Sequence, residues 1–199
     1  MAPVGDAAHG LPALIVVNGA PDTGKTTLAR RLADRLVLPL VTKDGIKETL
    51  FETLGWSDRT WSRRLGGASM EVLYLFAEAQ LAARRSCIVE ANFAPSFANP
   101  ALRRIAARCP FLPIQILCTA DCDVLAARFR QRVRSGERHP GHQDCLLGGD
   151  DGMFRRLEPL DIGGHLIEVD TTLFERVDFE GLCARVARLL PRSRGGRGR

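Results

Sequence analysis

Residues Gly19 to Thr26 read G-A-P-D-T-G-K-T, a G-x-x-x-x-G-K-[ST] turn set between an apolar run and an amphipathic one. Upstream, Leu14-Ile15-Val16-Val17 is a β-branched run of the kind that forms a strand buried on both faces. Downstream, Leu28, Leu32 and Leu36 recur at helical spacing, with Arg30, Arg31, Asp34 and Arg35 between them. A strand entering a helix through such a turn aims successive backbone N–H groups and the positive end of the helix at one place, where a polyphosphate fits. The expected nucleotide contacts are therefore Gly19, Ala20, Pro21, Asp22, Thr23, Gly24, Lys25, Thr26 and Thr27. Lys25 would reach the terminal phosphates, and the Thr26 hydroxyl would be the Mg²⁺ ligand.

The remaining pattern alternates strand and helix. Leu38–Thr42 reads as a second strand followed by a helix over Asp44–Leu54. Trp61–Arg85 is mostly helical, with Gly66-Gly67 as a point of interruption. Cys87–Glu90 is a third strand, Pro100–Arg108 a helix, Pro113–Cys118 a fourth strand and Asp121–Val133 a helix. His165–Val169 is a fifth strand, and Phe179, Leu182, Cys183, Val186 and Leu190 mark a closing helix. Such alternation implies parallel βαβ units, hence a three-layer α/β fold: about five parallel strands with helices on both faces and the ligand site at their carboxyl ends. One domain over residues 13–190 is expected, with a lid at about 134–152, a flexible N-terminus over 1–12 and a disordered Gly/Arg tail over 191–199.

With 45% hydrophobic and 26% charged residues among 199, the chain has apolar material for one sizeable core. No apolar stretch approaches the roughly 20 residues needed to span a bilayer. Met1-Ala2-Pro3-Val4-Gly5-Asp6 lacks the basic-then-apolar order of a secretory signal, so a cytoplasmic location without membrane contact is expected. The six cysteines form no C-x-x-C pair and read as reduced thiols. The net charge of +5 suggests nucleic acid, but four arginines lie within residues 192–199, leaving +1 for the rest. A basic footprint for a polymer would extend over the folded face as well.

Three acids fall at or just beyond predicted strand ends: Asp44, Glu90 and Asp170. All are expected to rim the crevice of the glycine-rich turn. Phosphoryl transfer to a hydroxyl needs a carboxylate beside the attacking oxygen, and Asp44 is the candidate base, with helix capping as its structural alternative. Glu90 would bind substrate or a metal-bound water, and Asp170 would shape a turn near the nucleotide base. Arg128 and Arg132 share a helix face, and with Arg138 they would form a lid that brings positive charge to the phosphates and excludes water. His139-Pro140-Gly141-His142, with Asp144 and Cys145, lacks the spacing of a helical zinc pair.

Taken together, Gly24-Lys25-Thr26-Thr27-Leu28-Ala29, Thr42-Lys43-Asp44-Gly45-Ile46-Lys47-Glu48, Val89-Glu90-Ala91-Asn92-Phe93, Arg128-x-x-x-Arg132 and Arg138-His139-Pro140-Gly141-His142 resemble the small bacterial phosphate-loop (P-loop) kinases. That group, of AAA-type ATP-binding proteins, is related to the zeta toxins, chloramphenicol phosphotransferase and the kinase domain of polynucleotide kinases. The resemblance implies ATP and Mg²⁺ as cofactors, Asp44 as catalytic base, Lys47 on substrate phosphate, and lid roles for Arg128 and Arg132. Lys25, Asp44, Arg128 and Arg132 are thus the expected catalytic set. Lys47, Glu90, Asn92, Arg138, His139 and His142 are the expected substrate set. The reading that follows is a kinase acting on a hydroxyl of a small molecule. A 5′-hydroxyl polynucleotide kinase is the alternative, with Lys47 and the arginine tail on phosphates. A nucleotide-driven switch fits less well, since no apolar strand ends in Asp-Asp or Asp-Glu and no N-K-x-D segment is present.

Overall fold

The computed structural model describes residues 10–136, 138–143 and 154–191. Its elements are β1 (Ala13–Gly19), α1 (Lys25–Leu36), β2 (Leu40–Thr42), α2 (Lys43–Leu54), α3 (Arg59–Ala82), β3 (Cys87–Glu90), α4 (Pro95–Arg108), β4 (Leu112–Thr119), α5 (Cys122–Ser135), β5 (His165–Asp170) and α6 (Phe179–Leu189). The five strands form one parallel sheet in the order β2-β3-β1-β4-β5. Every residue of β1 is buried, as a central strand covered on both faces requires.

Strand alternation divides the core. Ile15 and Val17 of β1 point to one layer, where they meet Leu28 and Leu32 of α1 and Leu182 and Val186 of α6. Leu14 and Val16 point to the other, against Leu73, Ala77 and Leu81 of α3 and Leu102 and Ile105 of α4. The segment after α5 returns to this second layer through Leu160, whose N–H donates to the buried Gln115 side chain at 2.7 Å.

Most element ends lie within a few residues of the sequence expectation, and three features differ in an informative way. β2 starts at Leu40 rather than Leu38. Val37 adopts φ 53°, Leu38 N–H closes α1 onto Ala33, and Pro39 has no N–H, so pairing begins with the Pro39 carbonyl accepting from Ile88 N–H at 2.8 Å. α3 runs unbroken through Gly66-Gly67. α4 starts at Pro95, where proline suits the first helical position, and carries Pro100 in its interior. Residues 192–199 of the tail and most of the N-terminal segment lie outside the described residues, as do residues 137 and 144–152 of the predicted lid.

Candidate active site

The site begins where β1 ends. Asn18, wholly buried, accepts from Gly19 N–H and Phe93 N–H at 2.8 Å each and donates to the Phe93 carbonyl at 3.2 Å, tying the glycine-rich turn to the chain beyond β3. Gly24 then enters α1 at φ 75°, a left-handed conformation, with the Phe174 ring where a Cβ would stand. No acid lies in the first turn of α1, so its N-terminal N–H groups keep their attraction for an anion. Pro21, Asp22, Gly24, Lys25, Thr26 and Thr27 line a cavity of about 270 Å³ together with Lys43, Asp44, Asn92, Arg128, Arg132 and Arg138. Ala20 and Thr23 are buried beneath the turn, where the Thr23 hydroxyl donates to the Ala20 carbonyl at 2.9 Å.

Glu90 sits below the entrance to α1. The Thr26 hydroxyl donates to one carboxylate oxygen at 2.9 Å, and Lys25 Nζ lies 4.0 Å from the other. Burial raises the Glu90 pKa, against the opposing pull of Lys25 and the Thr26 hydrogen bond. A carboxylate kept in such a place without full compensation suits a divalent cation, and the Thr26 and Glu90 oxygens are the hard donors that Mg²⁺ takes. The apolar strand Cys87-Ile88-Val89 thus delivers a single acid to the turn, and that signal was present in the sequence.

Asp44 lies one residue into α2, beside the same cavity. The cap of α2 is Thr42, whose hydroxyl oxygen accepts from Gly45 N–H at 3.1 Å. A Cβ at residue 45 would stand 2.7 Å from that oxygen, which accounts for glycine in K-D-G-I-K-E. With capping assigned to Thr42, the Asp44 carboxylate faces Arg138, which donates to it at 3.0 Å, and Lys43 at 3.5 Å. Burial opposes its ionisation, but Arg138, Lys43, His142 and Lys25 together outweigh burial and hold its pKa down at about 2.

Arg138 also donates to His142 Nδ1 at 2.9 Å, and His142 Nε2–H donates to Glu48 at 3.1 Å. Burial and the Arg138 charge lower the His142 pKa to about 3, so the ring is neutral and this one tautomer satisfies both bonds. His139 stacks on Phe51 with centroids 4.9 Å apart. Its Nε2 pairs with Glu52 and its Nδ1 accepts from Gly141 N–H. The R-H-P-G-H segment is therefore fastened to α2, with both histidines held in packing and hydrogen bonds and Arg138 presented to the cavity. Asp144 and Cys145 lie outside the described residues.

From α5, Arg128 donates to the carbonyls of Thr171, Thr172 and Asp22, and Arg132 pairs with the Asp22 carboxylate at 3.0 Å. Both guanidinium groups so reach the glycine-rich turn. Asp170 stands apart from the phosphate cavity, contrary to the expectation that three acids share one crevice. β5 is the far edge strand, four places from β2. Asp170 lines a separate cavity of about 210 Å³ with Thr23 and Cys118, and accepts from Thr172 N–H at 2.8 Å. Hydrogen bonds from the Thr172 side chain and, second to it, from the Thr172 N–H lower its pKa.

A larger cavity, about 660 Å³, opens between α2, α3 and α4. It shares Lys43 and Asn92 with the phosphate cavity and is lined further by Lys47, Met70, Tyr74 and Phe97. Lys47 is buried on its wall and donates to the Ser62 hydroxyl at 2.9 Å. Two contributors escaped the sequence reading. Lys43 adjoins Asp44 in the motif and could have been found there, and Asn18 is the polar residue that interrupts an apolar strand.

A family model described as an AAA domain matches residues 14–144. No curated protein matches the chain. The solved structure of a candidate kinase from Chloroflexus aurantiacus j-10-fl is 43% identical, covering 90% of this chain and 99% of its own, with a TM-score of 0.86. A sugar kinase from Janibacter sp. HTCC2649 shares the fold at 19% identity and TM-score 0.55, over 89% of this chain and 93% of its own. A gluconokinase from Sinorhizobium meliloti 1021 does so at 17% and 0.50, over 90% and 95%. Among the described residues no helix is long and apolar enough to cross a membrane. With its glycine-rich turn, five-stranded parallel sheet and family match, the chain belongs to the AAA-domain family of P-loop proteins and has the P-loop kinase fold.

Proposed function

We propose that this protein is an ATP- and Mg²⁺-dependent phosphotransferase that moves the γ-phosphate to a hydroxyl of a small molecule. The observation that carries the reading is the junction of two cavities. The phosphate cavity, with Asp44 on its wall, meets the larger cavity at Lys43 and Asn92, so an acceptor in the larger space can present its hydroxyl to a phosphate in the smaller one. A volume near 660 Å³ lies within the range of small-ligand sites, roughly 300–1,000 Å³. The 43% identical candidate kinase supports the same reading.

In this reading the turn's N–H groups and Lys25 would hold the β- and γ-phosphates, and Thr26 and Glu90 would hold Mg²⁺, which would offset phosphate charge. Arg128, Arg132 and Arg138 meet the charge that develops on the transferring group. Asp44 orients the acceptor hydroxyl and takes its proton as the new O–P bond forms and the bond to the β-phosphate oxygen breaks, leaving ADP. A carboxylate with a pKa near 2 is a weak base. It suffices where the transition state is loose, because little proton transfer is needed before the phosphoryl group arrives. The test incubates the protein with γ-labelled ATP, Mg²⁺ and a panel of hydroxyl compounds. A compound gaining one phosphate by mass is the expected result, and ATP turnover to free phosphate alone is the opposing one.

A further inference from the structure

We infer that the acceptor is an anion, a hydroxyl compound carrying a carboxylate or phosphate, whose charge is met by Arg63 and Arg104 beside an open floor made by Gly66 and Gly67. The inference rests on the kinase reading and names the substrate class of that same site.

Four cations, Lys43, Lys47, Arg63 and Arg104, line the larger cavity against one carboxylate, Glu71. Lys43 is engaged by Asp44 and Lys47 by Ser62, at the end that meets the phosphates. Arg63 and Arg104 come from two different helices, α3 and α4, and among the described residues neither has a hydrogen-bond or ion-pair partner. On α4 the contrast is direct. Arg103 is held by Asp161 and Arg108 by Glu78, while Arg104 faces the cavity. The fork geometry of arginine matches a carboxylate or a phosphate.

The glycines point the same way. Glycine is the poorest helix former after proline, and two stand together inside α3. Among the described residues no packing contact demands either one. A Cβ at residue 67 would meet nothing within 4 Å, and one at residue 66 only the end of Lys47 at 3.8 Å. The room they leave belongs to the cavity, where a ligand could lie against the helix. Tyr74, also on the wall, has a buried hydroxyl with no hydrogen-bond partner among the described residues. Phe97 lines the cavity with 79% of its surface exposed, ready to cover an occupant.

The test loads the full chain with a non-hydrolysable ATP analogue and Mg²⁺, then measures by calorimetry the binding of matched pairs: gluconate against glucitol, and glucose 6-phosphate against glucose. A wider set of hydroxy acids, sugar phosphates and nucleoside monophosphates, each with a neutral match, follows. Phosphate transfer from ATP is scored by mass on the same compounds. We expect anionic members to bind at least tenfold tighter than their neutral matches, with the pairs separating carboxylate from phosphate. For the best acceptor, Arg63→Gln and Arg104→Gln should each raise KM at least tenfold more than they change kcat. Gly67→Ala should raise the melting temperature while raising KM, an outcome a purely structural glycine would not give. Neutral compounds accepted as well as anionic ones, no anionic compound bound, or an unchanged KM in both arginine variants would overturn the inference. Transfer to a neutral compound would leave the kinase reading standing. Anion binding without any ATP binding would sink the kinase reading and leave the charge preference.

Discussion

The Arg138 guanidinium donates to the Asp44 carboxylate at 3.0 Å, joining α2 to a segment 94 residues later in the chain. The same nitrogen donates to His142, which in turn is held by Glu48 of α2. Arg138 is the largest of the charges that hold the proposed base ionised, and both residues line the same cavity.

Because Thr42 caps α2, Asp44→Asn should leave the melting temperature within a few degrees of wild type. Binding of a non-hydrolysable ATP analogue should persist while single-turnover transfer falls by about 10² to 10⁴. Thr42→Ala should do the opposite, costing about 1 kcal/mol of stability by denaturation. In the wild type the Asp44 pKa is held down at about 2, so this carboxyl should give kcat/KM no acid limb between pH 4 and 7. Retained transfer in Asp44→Asn would move the base role elsewhere.

His142 carries a stability signature. Its pKa is lowered from 6.5 to about 3, so as pH falls below about 6.5 the unfolded chain takes up a proton that the folded chain refuses until about pH 3. The neutral ring's contribution is therefore full above 6.5 and declines through that window, by at most about 1.4 kcal/mol per pH unit. Urea denaturation at pH 7 and pH 5 should show a larger loss for wild type than for His142→Gln. Equal losses would mean the ring is charged in the folded protein.

Glu90→Gln removes the buried charge beside Thr26 and keeps the hydrogen bond. The Mg²⁺ concentration giving half-maximal transfer should rise at least tenfold, with the fold retained by circular dichroism. An unchanged Mg²⁺ dependence would return Glu90 to an acceptor-binding role.

Residues 192–199 carry four of the five net positive charges and lie outside the described residues. Their deletion should leave small-molecule turnover unchanged and oligonucleotide binding no weaker. A loss of oligonucleotide binding with a shallower salt slope would favour a polynucleotide acceptor instead.

The sheet and its phosphate turn could be read from sequence because their signals are local: buried β-branched runs, leucines at helical spacing, and glycines at positions with special backbone demands. Asp44, Arg128 and Arg132 are legible for the same reason, as charged residues at predictable strand ends or on one helix face, and Arg138 as the arginine that follows where the helical pattern fails. What escaped depends on long-range order. That Asp170 stands four strands from β2 follows from the strand order, which pairing across the sheet decides. That His139 and His142 pack against Phe51 of α2 follows from where the segment after α5 returns. Pro100 misled as a helix start because Pro95, five residues earlier, holds that place, and Gly66-Gly67 misled as a break because α3 is supported by packing on either side of them.

The most direct measurement of the central claim follows γ-labelled phosphate from ATP in the presence of Mg²⁺ and the hydroxyl-compound panel, with wild type and Lys25→Ala compared at equal fold content. Wild type should move the label onto a small hydroxyl compound, and the lysine variant should lose most of that transfer while remaining folded. Label released only to water by wild type, or transfer undiminished in folded Lys25→Ala, would contradict the account.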